Sequence, residues 1–299
     1  MPLVSICIPT YNQTKYLRKV LDSVFEQTFT DYEVIVSDDS TTADVKELID
    51  EYIAKGKEIR YFHHSPALGS PENWNFAMSQ AQGEYIKIMH HDDWFIKNEA
   101  LEKLVMLAIN NNSDFVFSAS ISKYENYNFE RYNYPTPYEL NKLYADSTLL
   151  MNCNHISTPS STLFKKDSSI IFNKKFLWLV DVEFYINYLL KHKTITSTNE
   201  ALVLITAFAN HNISNSCFTN TNIKIFEQLQ LFDLYSKKSK NKISLIIYIH
   251  KLFLVTKTTR LYQIRNSGYT KPIKFVFVFS ILLCRCFLGF KKIFSNERK

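Results

Sequence analysis

The sequence predicts an α/β chain organised around a doubly wound parallel sheet, and three observations carry that prediction. Strand-like and helix-like stretches alternate through the first 120 residues, the connections between them are short, and a polar cluster stands at the end of three of the strands. Helices on both faces of such a sheet bury it, and ligands bind beyond the carboxyl ends of its strands.

The elements run in order along the chain. LVSICIPT (3–10) is apolar and β-branched and stops at a proline, the mark of a buried strand. KYLRKVLDSVFEQ (15–27) then places Leu17, Val20, Leu21, Val24 and Phe25 on one helical stripe. The cycle repeats with YEVIVSDDS (32–40) as a strand, DVKELIDEYIAKG (44–56) as a helix and EIRYFHH (58–64) as a third strand. SPENWNFAMSQAQG (70–83) reads as a third helix, with Pro71 near its start and Gly83 past its end. EYIKIMHH (84–91) is the fourth strand.

Three polar clusters fall at strand ends: PTYN (9–12), SDDS (37–40) and HHDD (90–93). Any one of them reads equally as a solvated turn. Three at the same sheet edge predict a shared crevice.

Composition bounds the ligand and partner. With 299 residues and 46% hydrophobic content the chain can build a full-sized core, as one large domain or one with a small appendage. A formal charge of +6, without a long Lys/Arg block in the first two thirds, weighs against nucleic acid. The five cysteines are odd in number and widely spread, with no C-x-x-C pair, which suits a reducing compartment. The first residues enter a strand without a basic region or cleavage site, so a cytoplasmic protein is expected.

Neither dinucleotide nor P-loop chemistry fits the first crevice motif, because PTYNQTKYL contains no glycine. With five glycines in the chain, phosphate is not cradled by a glycine-rich loop, and a divalent cation held by carboxylates is the natural substitute. Asp92 and Asp93 can supply it. A zinc site made from His90, His91, Asp92 and Asp93 is the alternative, although adjacent residues on an extended strand point to opposite faces, so the two histidines need a turn between them to share one ion.

The order VSICIPTYN, VIVSDDS, GSPENWN, GEYIKIMHHDDW resembles glycosyltransferase family 2, the inverting transferases of GT-A fold. The likeness is close over about the first 120 residues and looser to about residue 216. It implies that Pro9, Thr10, Tyr11 and Asn12 line a nucleotide pocket, that Asp38 accepts from the uracil N3–H, and that Asp39 lies beside it; a helix cap is the competing role for both acids. Gly69, Asn73 and Asn75 match the stretch near the ribose and diphosphate. Asn73 and Asn75 are two apart, so at most one is expected to point into the site.

In the family the fourth strand ends in D-x-D or D-x-D-D, one aspartate holding the cation, Mn2+ or Mg2+, that bridges the donor phosphates. Here Asp92 takes that position, Asp93 is the following acid, and His90 replaces the first aspartate, a departure that removes a charge from the donor site. YENYNFERYNYPTPYE (124–139) lacks periodicity and is expected to be a long surface loop near the acceptor. ISTPSSTLFKK (156–166) resembles the acceptor-side floor. FLWLVDVEFYINYLLKH (176–192) reads as a helix opening with Asp181 and Glu183. The family keeps an acidic pair there whose aspartate is the general base, which implies that role for Asp181; a first-turn acid favoured by the helix dipole is the alternative. HNISNS (211–216) resembles a loop that closes over the diphosphate, with His211 donating a hydrogen bond to phosphate or ligating the metal.

Residues 269–294 hold an apolar run from Phe275 to Cys284, flanked by Lys271, Lys274, Lys291 and Lys292. The run is short for a spanning helix, and an interfacial helix with basic flanks is expected; a core helix packed on 242–257 is the alternative. The expected organisation is a GT-A catalytic domain at 1–216, with 1–120 binding the nucleotide sugar and 121–216 the acceptor, followed by a helical region at 217–299. The resemblance implies transfer of a hexose from a UDP-sugar to a lipid-linked saccharide, on an undecaprenyl-diphosphate carrier in O-antigen or capsule assembly, at the cytoplasmic face of the inner membrane. A sugar nucleotidyltransferase and a non-catalytic nucleotide-sugar-binding protein are the other classes.

Overall fold

The computed structural model describes residues 1–124, 129–207, 217 and 219–296, with the side chains of the last helix described as far as Leu288. The chain divides into two compact units, one of Met1–Asn141 with His155–His211, the other of Lys142–Asn154 with Asn212–Lys299.

The first unit is the alternating α/β region. Its elements run β1 (Val4–Thr10), α1 (Thr14–Phe25), β2 (Tyr32–Asp38), α2 (Asp44–Ala54), β3 (Arg60–His63), α3 (Glu72–Gln80) and β4 (Tyr85–Ile88). Then come β5 (Asp93–Phe95), α4 (Ala100–Asn110), β6 (Phe115–Tyr124), β7 (Phe129–Asn133), α5 (Pro137–Ala145), β8 (Thr162–Lys165), α6 (Val180–Lys191) and β9 (Ile195–Ala207). The strands join in the order β3-β2-β1-β4-β8-β6-β9-β5, with β7 on β6.

The first four strands are parallel, as their short helical connections require. Beyond β4 the sheet is mixed, since β8 runs antiparallel to both β4 and β6. The resulting register brings the carboxyl ends of β1 and β2 level, with Thr10 opposite Asp38.

Alternation sets the two layers. Val4, Ile6 and Ile8 point to one face, where Leu17, Val20, Leu21 and Val24 of α1, Val45, Leu48 and Ile49 of α2, and Leu101, Leu104 and Val105 of α4 cover them. Full burial of one such side chain stabilises the fold by about 1.5–3 kcal/mol. The opposite face holds α3, where the Cys7 thiol meets the Ala77 carbonyl, and α6, whose Phe184, Tyr185 and Tyr188 pack with Phe115 and Phe164. Gly83 lets the chain enter β4 at close range, because a Cβ there would lie 2.7 Å from the Ser5 nitrogen.

Two elements differ from expectation. The fourth strand ends at Ile88 rather than continuing through the histidines; the Asp93 amide bonds to the His90 carbonyl, a turn that reverses the chain before β5. Where a long loop is expected at 124–139, Phe129–Asn133 pairs antiparallel with β6 and α5 begins at Pro137. Alternation there is masked because both faces of that strand carry polar or aromatic side chains.

The second unit is helical: α7 (Thr221–Tyr235), α8 (Lys242–Val255), α9 (Leu261–Asn266) and α10 (Phe275–Asn296), with a 3-10 turn at Ser147–Met151. Asn220 and Asn241 cap α7 and α8 through their side-chain oxygens. Phe277 is its aromatic centre, within 5.5–6.3 Å of Phe232, Tyr269 and Phe253. Thus α10 packs one face against α8, as the core-helix alternative requires, and leaves Phe275, Val278, Phe279 and Leu282 of the other face exposed. Its basic flank is partly spent within the unit, since Lys271 and Lys274 both pair with Asp233. Among the described residues no helix is long and apolar enough to cross a membrane.

Candidate active site

The three strand-end clusters stand along one edge of the sheet. At the end of β1, Thr10 is buried while Tyr11 is half exposed, and Asn12 takes a left-handed conformation at φ 51°. That turn is pinned to the next cluster: the Asn12 amide donates to Ser40 Oγ at 2.8 Å and its Oδ1 accepts from the Thr41 amide at 3.0 Å. Pro9 is buried within the strand, so it shapes the edge without facing solvent.

The acidic pair after β2 is turned inward. Asp38 has no exposed surface; its Oδ2 accepts from the Tyr61 hydroxyl at 2.6 Å and its Oδ1 from the Ser40 amide at 2.8 Å. Burial and Asp38 together push the Tyr61 hydroxyl above the ordinary phenol range. Asp39 accepts from the Leu68 and Gly69 amides at 3.0 and 2.8 Å, holding the 65–69 loop at a Gly69 whose φ of 77° suits glycine. The expected contact between Asp38 and a uracil is therefore not open in this structure, because Tyr61 of the neighbouring β3 has taken the carboxylate. Tyr61 was not legible as a partner, since a strand tyrosine reads as core.

Asn73 stitches the same edge, donating to the Ser37 and Thr10 carbonyls at 3.0 and 3.3 Å. Its Oδ1 and the Thr10 hydroxyl are buried without a protein partner. Asn75 points elsewhere, exchanging two hydrogen bonds of 2.8 Å with the Phe172 backbone, so one of the two asparagines borders the crevice, as their spacing requires.

The HHDD turn is the most unusual part of the edge. His90 lies tilted over Trp74 with ring centroids 4.6 Å apart, its Nδ1 is 3.7 Å from Asp93 Oδ2, and its Nε2 is buried without a hydrogen-bond partner. Burial pushes its pKa down to about 4, which Asp92 opposes only in part, so at neutral pH it is an uncharged imidazole. Asp92 is half-buried on the turn, and its carbonyl accepts from the Thr206 hydroxyl at 2.6 Å.

Asp93 does not project as a metal ligand. It is 2% exposed, receives the Thr206 amide at 3.3 Å and the Thr158 hydroxyl at 3.4 Å, and burial together with Asp92 raises its pKa well above the usual carboxylate value. Among the described residues no group of three His, Cys, Asp or Glu side chains is placed to hold an ion, which disfavours the zinc alternative. Asp92 remains as a single carboxylate on the turn. That donor set fits a cation bound largely through substrate phosphates and water, as Mg2+ and Mn2+ bind beside one or two carboxylates.

Asp181 opens α6, its Oδ1 accepting from the Val182 amide at 2.8 Å. Tyr185, one turn further on, is fully buried and donates to the Ser157 carbonyl at 3.3 Å; after burial itself, Asp181 and then Asp93 raise its pKa. The helix that Asp181 opens is thereby tied to Ser157, next to the Thr158 whose hydroxyl donates to Asp93. Glu183 is buried on that helix. His211 lies outside the described residues.

Among the described residues, a nine-stranded sheet with helices on both faces and polar clusters along one carboxyl edge defines a GT-A glycosyltransferase fold. The sequence profile described as "Glycosyl transferase family 2" matches residues 5–169, more than half of the chain, and the protein belongs to that family. "Glycosyltransferase GlyG" of Streptococcus pneumoniae is 31% identical over 125 residues, 42% of this chain and 40% of that protein. The "GalNAc(5)-diNAcBac-PP-undecaprenol beta-1,3-glucosyltransferase" of Campylobacter jejuni is 33% identical over 109 residues, 36% of this chain and 35% of that enzyme. These curated relatives are thus matched over well under half of their length. The crystal structure of an S. aureus TarS fragment in complex with UDP-GlcNAc superposes with a TM-score of 0.65 at 19% identity, covering 89% of this chain and 79% of the fragment.

Proposed function

We propose that this chain moves a hexose from a UDP-sugar to a hydroxyl group of a lipid-diphosphate-linked saccharide, with inversion at the anomeric carbon. One observation carries the reading: Asp92 stands on a turn at the carboxyl edge of the parallel strands, and Asp181 opens the helix whose Tyr185 donates to the Ser157 carbonyl, next to the Thr158 that donates to Asp93 of that turn. The UDP-GlcNAc complex of a protein with this fold and the undecaprenol-linked acceptor in the Campylobacter relative's name support the substrate classes.

In this mechanism the PTYN turn, with Tyr11 exposed, receives the nucleotide. Asp92 would hold a divalent cation, Mn2+ or Mg2+, whose charge stabilises the departing diphosphate. Asp181 takes the proton from the acceptor hydroxyl as that oxygen bonds to the anomeric carbon and the bond to the donor diphosphate breaks, releasing UDP. His90, neutral at physiological pH, adds no charge of its own to the donor phosphates.

A lipid-linked acceptor places the work at a membrane surface, on the cytoplasmic side of the inner membrane where nucleotide sugars are found. The exposed Phe275, Val278, Phe279 and Leu282 of α10 support an interfacial contact. Because Asp233 pairs with Lys271 and Lys274, this contact draws more on apolar area than on those two charges.

The test is incubation of purified protein with a panel of UDP-sugars, Mn2+ and a synthetic lipid-diphosphate saccharide. UDP release coupled to a new glycosidic bond of inverted configuration is expected. Pyrophosphate release would make the protein a nucleotidyltransferase, and donor binding without turnover would make it a sensor. Flotation with anionic vesicles checks the membrane contact; a Phe279→Ser/Leu282→Ser variant is expected to stay at the bottom of the gradient.

A further inference from the structure

Lys87 sits in the middle of β4, one residue from the end of the strand, with none of its surface exposed. It shares a face with Tyr85 and Met89, both part of the apolar core, where a leucine or isoleucine would pack without cost. Burying an ammonium costs several kcal/mol unless it is well partnered, so its place there calls for a function.

Its partners stand on two segments that adjoin the HHDD turn, the 3-10 turn Pro159–Ser161 and β5. The Lys87 ammonium donates to the Ser160 carbonyl and lies 5.2 Å from the Phe95 ring centroid. Ser160 is held from its other end too, its hydroxyl accepting from the His90 amide at 3.0 Å. Asp93, whose charge Lys87 feels, receives the Thr206 amide, and the Thr206 hydroxyl in turn donates to the Asp92 carbonyl. One buried network therefore runs from the strand through the 3-10 turn Pro159–Ser161 to the backbone on both sides of Asp92.

We propose that Lys87 is a positioning residue for the transfer reaction: from beneath, through Ser160 and Asp93, it fixes the turn that presents Asp92. It is sealed from solvent, so it touches no substrate and acts through its neighbours. Burial draws the lysine down to about 7, with Asp93 pulling the other way, so the cost of enclosing the ammonium outweighs that attraction. The inference rests on the reading of Asp92 as the cation-holding residue.

The experiment compares Lys87→Met, which keeps the apolar stem, Lys87→Met/Asp93→Asn, which neutralises both partners, and Asp92→Asn. Three quantities are measured: Mn2+ needed for half-maximal UDP binding, kcat for transfer, and amide exchange at residues 89–93 and 158–161 in metal-free protein. Lys87→Met is expected to raise the Mn2+ requirement ~10-fold, lower kcat ~10-fold or more, and accelerate exchange in both segments. The double variant is expected to recover several-fold of the Mn2+ affinity, since the acid left unpaired by the single change is gone.

Wild-type Mn2+ requirement and exchange in Lys87→Met would overturn the proposal. If that variant does not fold, the neutral double variant decides alone by amide exchange, since it too lacks the Lys87 donor to the Ser160 carbonyl; wild-type exchange at 158–161 in it overturns the proposal equally. Asp92→Asn separates the two readings: persistence of Mn2+-dependent UDP binding there means that the cation site has been misassigned, whereas its loss beside an unaltered Lys87→Met removes only the role of Lys87.

Discussion

Two adjacent acid pairs end neighbouring parts of the same sheet and meet different fates. Asp38 and Asp39, after β2, have all four oxygens bonded within the first unit, to Tyr61, Ser40, Leu68 and Gly69. Asp92 and Asp93, after β4, are split: one is half-buried on the turn, the other driven inward onto threonines and a buried lysine's field. The difference lies in the path of the chain beyond each pair. After Asp39 it runs on through a bend at Thr41 and Thr42 into α2, and the 65–69 loop returns to offer two amides; after Asp93 it doubles straight back as β5, which forces alternate side chains to opposite sides. A pair of aspartates at a strand end therefore braces a loop in one case and divides into a half-buried and a buried acid in the other.

Asp92 is where the two pairs should part most widely. Asp92→Asn is expected to lower transfer by ~10³-fold or more while melting stays near wild type, because leaving-group stabilisation contributes several kcal/mol. Unchanged turnover in excess chelator would remove the contrast between the pairs. Asp181→Asn comes next, expected to cost at least ~10²-fold in kcat with UDP binding retained; a drop in melting temperature with normal kcat would make it a helix cap.

Asp38→Asn tests the bracing role. Replacing an acceptor of two hydrogen bonds should cost ~1–3 kcal/mol, a melting shift of several degrees, since Tyr61 and the Ser40 amide both offer donors to the site. Loss of UDP binding at an unchanged melting temperature would instead return Asp38 to reading the base.

The smallest effect is expected at Asp167, on a different edge of the unit, whose carboxyl Lys191 and His192 hold below the usual range. A depressed carboxylate contributes stability above its unfolded value near 4, and that contribution is lost as pH falls through the folded value. Asp167→Asn should therefore cost under about 1 kcal/mol at pH 7 and progressively less below pH 4, measured as melting temperature against pH. A pH-independent difference would mean that packing rather than charge is responsible.

Sequence pattern was enough for the parallel half of the sheet, its helices and the edge on which the polar clusters stand. Periodicity is a local property: a stripe such as Leu17, Val20, Leu21 and Val24 needs no partner to be legible, and three polar ends on successive parallel strands must share an edge. That Thr10, Tyr11 and Asn12 stand at this edge was legible for the same reason. Which acids are available was settled only by tertiary contacts. Whether Asp38 is open depends on Tyr61, 23 residues away, and whether Asp93 is open depends on Thr158 and Thr206, 65 and 113 residues away. Lys87 was not singled out from the sequence, although a lysine inside the apolar run YIKIM is a local sign of a buried charge that says nothing of its partners. Side-chain availability is set by contacts between distant segments, and these exist only once the sheet has closed over them.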